Sequence, residues 1–102
     1  MKLTVVRYRT KPEMAEENAR LIQAVFQELH AKSPDDVRYL SLRLSDDTFV
    51  HFSIAETQDG ASPIPRLDAF RAFQSAIKER CVDPPRQTEA TIIGSYRMVD
   101  EV

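Results

Sequence analysis

His51 sits in the run Phe49-Val50-His51-Phe52-Ser53-Ile54, a nitrogen base inside what reads as a strand of Phe, Val and Ile. Imidazole is the side chain whose ordinary pKa, ~6.5, lets it take and return a proton near neutral pH. The plainer reading is a sheet histidine packed on Leu42, with its nitrogens hydrogen-bonded to neighbours. Arg7, Arg9, Arg38, Arg43 and Arg97 fall in apparent strands and have the fork geometry to hold an anionic or enolate oxygen. The same residues serve equally at an edge or interface, with their stems laid along apolar surface. Tyr8, Tyr39 and Tyr96 offer hydroxyls to a ligand or to an interface. Phe70 and Phe73 would wall a cleft between a sheet and the second helix, and are equally ordinary core. Cys81 continues their stripe and reads as a core thiol. His30 falls in the last turn of a first helix, where the helix dipole favours a cation.

Several chemistries are set aside by what the chain lacks. Its two histidines and one cysteine, at 30, 51 and 81, have no metal-ligand spacing. Two glycines cannot build a phosphate-cradling loop, and no Gly-x-Ser-x-Gly elbow occurs. A net charge of −2 gives no general attraction for nucleic acid or anionic lipid. No apolar run approaches the ~20 residues of a membrane span. The opening "MKLTVVRYRTKPE" does not read as a signal peptide, and with one cysteine a reducing cytoplasm is the expected location. Residues 1–102 suffice for a single domain with one core.

The elements that must position these residues follow from periodicity. Residues 3–10, "LTVVRYRT", read as a strand. Pro12 suits a first helical turn, Thr10 is the expected cap, and Met14, Leu21, Ile22, Val25, Phe26 and Leu29 recur at helical spacing over 12–32. "VRYLSLRLS" and "TFVHFSIAE" flank Asp46-Asp47 as a hairpin. A two- or four-residue loop places Leu44 opposite Phe49, Leu42 opposite His51 and Leu40 opposite Ser53. One face then carries Leu40, Leu42, Leu44, Phe49 and His51. The other carries Tyr39, Ser41, Arg43, Val50, Phe52 and Ile54. Neither is cleanly polar, so both faces should be covered. "TQDGASPIP" is the loop expected to move most. Pro65 opens a second helix with the stripe Leu67, Phe70, Phe73, Ile77 and Cys81, which Pro84-Pro85 cannot continue. "ATIIGSYRMV", residues 90–99, is the last expected strand. The order β-α-β-β-α-β is an α+β, ferredoxin-like split with a four-stranded antiparallel sheet and its first and third strands central. Helices on one face leave Val, Phe, Ile and Tyr on the other, and a sheet-to-sheet homodimer is expected to cover them.

The RNA-recognition fold shares this order, and Phe49-Val50-His51-Phe52 matches the end of its third-strand signature. Ser45-Asp46-Asp47-Thr48 place two acids where phosphates would approach, so no nucleic-acid partner is expected. The junction "VVRYRTKPE", the strand "FVHFSIAE", and the ending "LDAFRAFQSAIKERCVDPPRQTEATIIGSYR" together resemble the antibiotic biosynthesis monooxygenase superfamily of dimeric α/β-barrel proteins. The resemblance runs through Leu67, Phe70 and Phe73, then a Pro-rich link and Gly94-Ser95-Tyr96, and covers nearly the whole chain. It implies a cofactor-independent monooxygenase acting on a small aromatic or quinol; no cofactor and no metal are expected. The family's Asn/Trp pair has no counterpart on these strands: there is no Trp, and the only Asn, Asn18, is in the first helix. The residues chosen for the reaction therefore come from type and face alone. They are His51 as base or orienting group, Arg97 or Arg7 as oxyanion partner, and Tyr39, Phe70, Phe73 and Tyr96 around the substrate. The alternative is a non-catalytic homodimer of the same fold that binds a small ligand or serves as an interaction module.

Overall fold

The structure, a computed structural model, describes residues 3–57 and 61–99. Leu3–Thr10 form β1, Ala15–Lys32 form α1, Val37–Arg43 form β2 and Thr48–Ala55 form β3. Asp68–Gln74 form α2, Ile77–Arg80 form α3 and Cys81–Ala90 form β4. The strands make one antiparallel sheet in the order β2-β3-β1-β4, so β1 and β3 are central as the right-handed crossover rule requires. This is the α+β ferredoxin-like fold.

Pro12 opens a 3-10 turn over Pro12–Met14, which leads into α1. Thr10 does not cap it. It ends β1 with a buried hydroxyl that has no hydrogen-bond partner. Ser33 closes α1 in the left-handed region (φ 47°), its N–H donating to the Leu29 carbonyl at 2.7 Å. Ile22 and Val25 of α1 meet Ile64, Leu67 and Phe73 around α2, and all pack on Tyr8 and Phe49 of the sheet. Tyr8 and Phe49 stack at 5.6 Å. Glu28 of α1 takes the Ala69 N–H at 2.8 Å and so caps α2 from another element.

Three expectations are corrected. The hairpin has a three-residue loop, Ser45-Asp46-Asp47, not two or four. Asp47 N–H donates to Leu44 O at 3.1 Å, and Asp47 itself is left-handed (φ 65°). Aspartate tolerates that conformation, so no glycine marked the turn. The parity flips: Ser41 lies opposite His51, Leu42 opposite Val50 and Leu40 opposite Phe52. His51 therefore shares the helix-covered face with Tyr39, Ser41 and Phe49, while Leu40, Leu42, Val50, Phe52 and Ile54 form the uncovered one.

The second helix is broken. Ser75 ends α2, Ala76 turns left-handed (φ 61°), and Cys81 begins β4 instead of closing a helical stripe. The last strand is Cys81–Ala90, not residues 90–99. An edge strand tolerates proline because its outer side needs no hydrogen bond. Pro84 and Pro85 occupy the register shift between the pairs Arg7–Arg86 and Arg9–Asp83. Residues 91–99 have no regular structure and expose Ile93, Tyr96 and Met98. Of the expected mobile loop, residues 58–60 lie outside the described residues.

Candidate active site

His51 is 4% exposed, beneath the helices, and both ring nitrogens are engaged. The Tyr8 hydroxyl lies 2.8 Å from Nε2. On the other side of the ring, Ser41 Oγ is 2.6 Å and the Tyr39 hydroxyl 3.2 Å from Nδ1. Strand register builds this arrangement. Ser41 is directly across from His51 on β2, and Tyr8 is the partner of the neighbouring Phe49 on β1. Tyr8 and Tyr39 sandwich the imidazole at ring separations of 5.4 and 5.9 Å, and Phe73 meets it edge-on at 5.5 Å.

The chain of polar groups runs on from Tyr8. Asn18 Nδ2 donates to the Tyr8 hydroxyl at 2.8 Å, and Arg80 Nε donates to Asn18 Oδ1 at 3.0 Å. The rest of the Arg80 guanidinium donates to the carbonyls of Ser75 (3.0 Å) and Phe73 (2.5 Å), and its carbon lies 5.4 Å from the Phe73 ring centre. Those carbonyls exist as acceptors because the break between α2 and α3 leaves them outside the helical ladder.

Donor chemistry sets the direction of every bond. Guanidinium only donates, so Asn18 must turn its carbonyl to Arg80 and its amide to Tyr8. Tyr8 accepts there, and its own proton goes to His51 Nε2. His51 therefore carries its proton on Nδ1 and donates toward Ser41 and Tyr39. The opposite tautomer would strand the Tyr8 proton in a residue 2% exposed, at a cost of about 1–3 kcal/mol.

Burial depresses the His51 pKa to about 4, so the ring is neutral at physiological pH. Burial also pushes Tyr39 up to about 12, slightly offset by its hydrogen bond with Ser41. Tyr8 is raised further, again by burial, with its Asn18 hydrogen bond in partial opposition. Burial raises the Cys81 thiol too.

Of the residues singled out in sequence, the fold gathers His51, Tyr8, Tyr39 and Phe73, with the Phe70 ring tilted against Phe73 at 5.8 Å. Arg7 is exposed on the uncovered face, across from Val50 and Arg86. Arg97 and Tyr96 are exposed in the irregular stretch after β4. Arg43, although on the His51 side, is paired with Glu16 and Asp47. Asn18, Ser41 and Arg80 were not expected at the site. Asn18 had a signal: it is an amide on the helix flank that also carries Leu21, Ile22 and Val25. Arg80 had none, since a terminal-turn arginine is ordinarily solvated.

No family model matches the chain, and no curated protein matches it. Solved structures do. A candidate antibiotic biosynthesis monooxygenase from Bacteroides thetaiotaomicron superposes with a TM-score of 0.76 at 11% identity, covering 97% of this chain and 95% of that one. The fold is that of the antibiotic biosynthesis monooxygenases. A candidate member from Nitrosomonas europaea gives 0.73 at 15% identity, over 92% of this chain and all of that one. Rv0793 from Mycobacterium tuberculosis gives 0.72 at 14%, over 92% and 96%.

Proposed function

We propose that the protein is a cofactor-independent monooxygenase acting on a small electron-rich aromatic or quinol, and that it works as a homodimer. The observation that carries this reading is the relay Arg80-Asn18-Tyr8-His51-Ser41/Tyr39. It is a continuous polar path in a small core, bordered by Phe73, Phe70 and Phe26, in a fold shared with candidate monooxygenases. Such a path is kept at the expense of apolar packing, and perturbed titratable groups of this kind concentrate at functional sites.

In the reaction, the ring anion passes electron density to dioxygen and a carbon–oxygen bond forms. The peroxide takes a proton, the O–O bond breaks with loss of the ring C–H proton, and a quinone and one water result. One dioxygen is consumed per ring, and no external reductant is needed. Of the two roles open to His51, the geometry supports the orienting one. A base with a pKa near 4 facing a phenol near ~10 would meet an uphill transfer of about 8 kcal/mol. Neutral His51 and its hydroxyl partners instead hold the substrate oxygen.

The uncovered face supports the homodimer. Val5, Leu40, Val50, Phe52 and Ile54 are half-buried there, and Leu42 is 43% exposed. Burying each such side chain is worth ~1.5–3 kcal/mol, and a second copy supplies a matching surface.

The test is oxygen uptake on mixing with a panel of quinols in metal-free buffer. Stoichiometric uptake that falls at least tenfold in His51→Gln supports the oxygenase. A second reading, a homodimeric binder of small ligands, is favoured by the near-complete burial of His51. It gains the field if ligands shift the His51 ring resonances and no quinol consumes oxygen.

A further inference from the structure

Arg80 is an unusual buried group. It is 3% exposed, and among the described residues no carboxylate pairs with it; its acceptors are one side-chain amide and two backbone carbonyls. The positive charge is therefore spent on fixing Asn18, and through Asn18 the proton of Tyr8 and the tautomer of His51.

The far end of the relay can be counted. His51 Nδ1, Ser41 Oγ and the Tyr39 hydroxyl carry one proton each. The Nδ1–H is shared between Ser41 Oγ at 2.6 Å and the Tyr39 hydroxyl at 3.2 Å, and a bond between the two hydroxyls can take up only one of their protons. At least one O–H donor is left with no acceptor inside the relay. Ser41 and Tyr39 are also the only relay members that are half-buried rather than buried, and they lie on β2, the edge strand. The site thus ends in a donor at the place a ligand can reach.

We propose that Arg80 is a positioning residue, and that its hold on Asn18 and Tyr8 makes the site take its ligand as an oxygen acceptor, an oxyanion or a carbonyl, at the hydroxyls of Ser41 and Tyr39. This rests on the reading of His51 as the centre of the site and adds the form in which substrate arrives. A phenol or quinol has lost its proton before it is seated, and the uncompensated guanidinium favours the anion. The ionisable groups around the relay are Tyr8 of β1, Tyr39 of β2, Cys81 at the start of β4 and Arg80 itself; α1 contributes the neutral Asn18. None of these places a negative charge beside the ligand at neutral pH.

The tautomer is read directly from two-bond 1H–15N spectra of the His51 ring in the dimeric protein. The expected wild-type result is Nδ1–H, with a mixture of tautomers in Arg80→Met, whose Asn18 amide is free to turn. The ligand class is read with 4-nitrophenol, whose phenolate absorbs in the visible. Binding should favour the phenolate by about tenfold over the neutral phenol, the worth of one charge-assisted hydrogen bond, and Arg80→Met should lose that preference. Arg80→Lys, which keeps the charge without the fork, should retain part of it and serves where Arg80→Met does not fold. An Nε2–H tautomer in the wild-type protein overturns the proposal, as does uptake of the neutral phenol or no uptake at millimolar concentration. An Nδ1–H ring with no oxygen consumption sinks the oxygenase and leaves this assignment standing.

Discussion

On the helix side of the sheet, Tyr8, His51 and Ser41 bring hydroxyls and ring nitrogens into the core. On the other side, Leu40, Leu42, Val50 and Phe52 leave carbon within reach of water. The two faces of one sheet invert the usual distribution, and each inversion has a physical meaning. A buried polar atom is costly without a partner, and among the described residues only the Thr10 hydroxyl lacks one, so the inner face is a connected network in which each group constrains the next. Apolar atoms need no directed partner, only removal from water, so the outer face specifies a covering surface and little about its details.

The largest effect should come from cutting the inner network at its charged end. Asn18→Leu leaves the Arg80 guanidinium and the Tyr8 hydroxyl short of partners inside the core, and should cost about 3–5 kcal/mol in urea unfolding. Asn18→Leu with Arg80→Met removes the stranded charge and should recover part of that loss. A double variant no better than the single one would mean that the guanidinium is not bound to Asn18 energetically.

Acid should act next. His51 has a lowered folded pKa, so its contribution is complete above the unfolded value of ~6.5 and is lost as pH falls toward about 4, because the unfolded state takes up the proton first. The swing should be about 3 kcal/mol at most, at ~1.4 kcal/mol per tenfold change in proton affinity. Stability curves of wild type and His51→Gln between pH 4 and 7 should diverge in this window. Parallel curves would place the imidazole in contact with solvent.

The outer face should respond through assembly instead. Val50→Asp or Phe52→Lys should give a monomer by sedimentation velocity, with a concentration-independent Tm and the His51 ring shifts retained. At about 1.5–3 kcal/mol per buried side chain, one such change is enough to weaken a small interface. A variant that stays dimeric would move the interface elsewhere. The smallest effect belongs to the solvated rim. Glu56→Gln breaks the ion pair with the 70%-exposed side chain of Arg38 and should change stability by about 0–1 kcal/mol. A larger loss would show that the edge of β2 is covered in solution.

What the sequence by itself determined were the features that depend on local pattern. The 3.6-residue stripe of Ile22, Val25 and Phe26 made α1, β-branched runs made β1 and β3, and chirality placed those strands at the centre of the sheet. His51 was visible as a polar residue in an apolar strand, and Phe73 as a wall. What only the tertiary structure decided was which side chains meet. A left-handed Asp47 adds one residue to the hairpin loop, and a period of two turns that single residue into an exchange of faces. That exchange took His51 off Leu42 and set it against Ser41. A proline pair at a sheet edge lets the last strand run nine residues nearer the N-terminus than expected, which leaves Tyr96 and Arg97 out of the sheet. Arg80 joined the site because a short helix ended where the Asn18 amide was waiting 62 residues earlier in the chain. Hydrogen-bond partners separated so far are chosen by packing and desolvation, which no local window of the sequence contains.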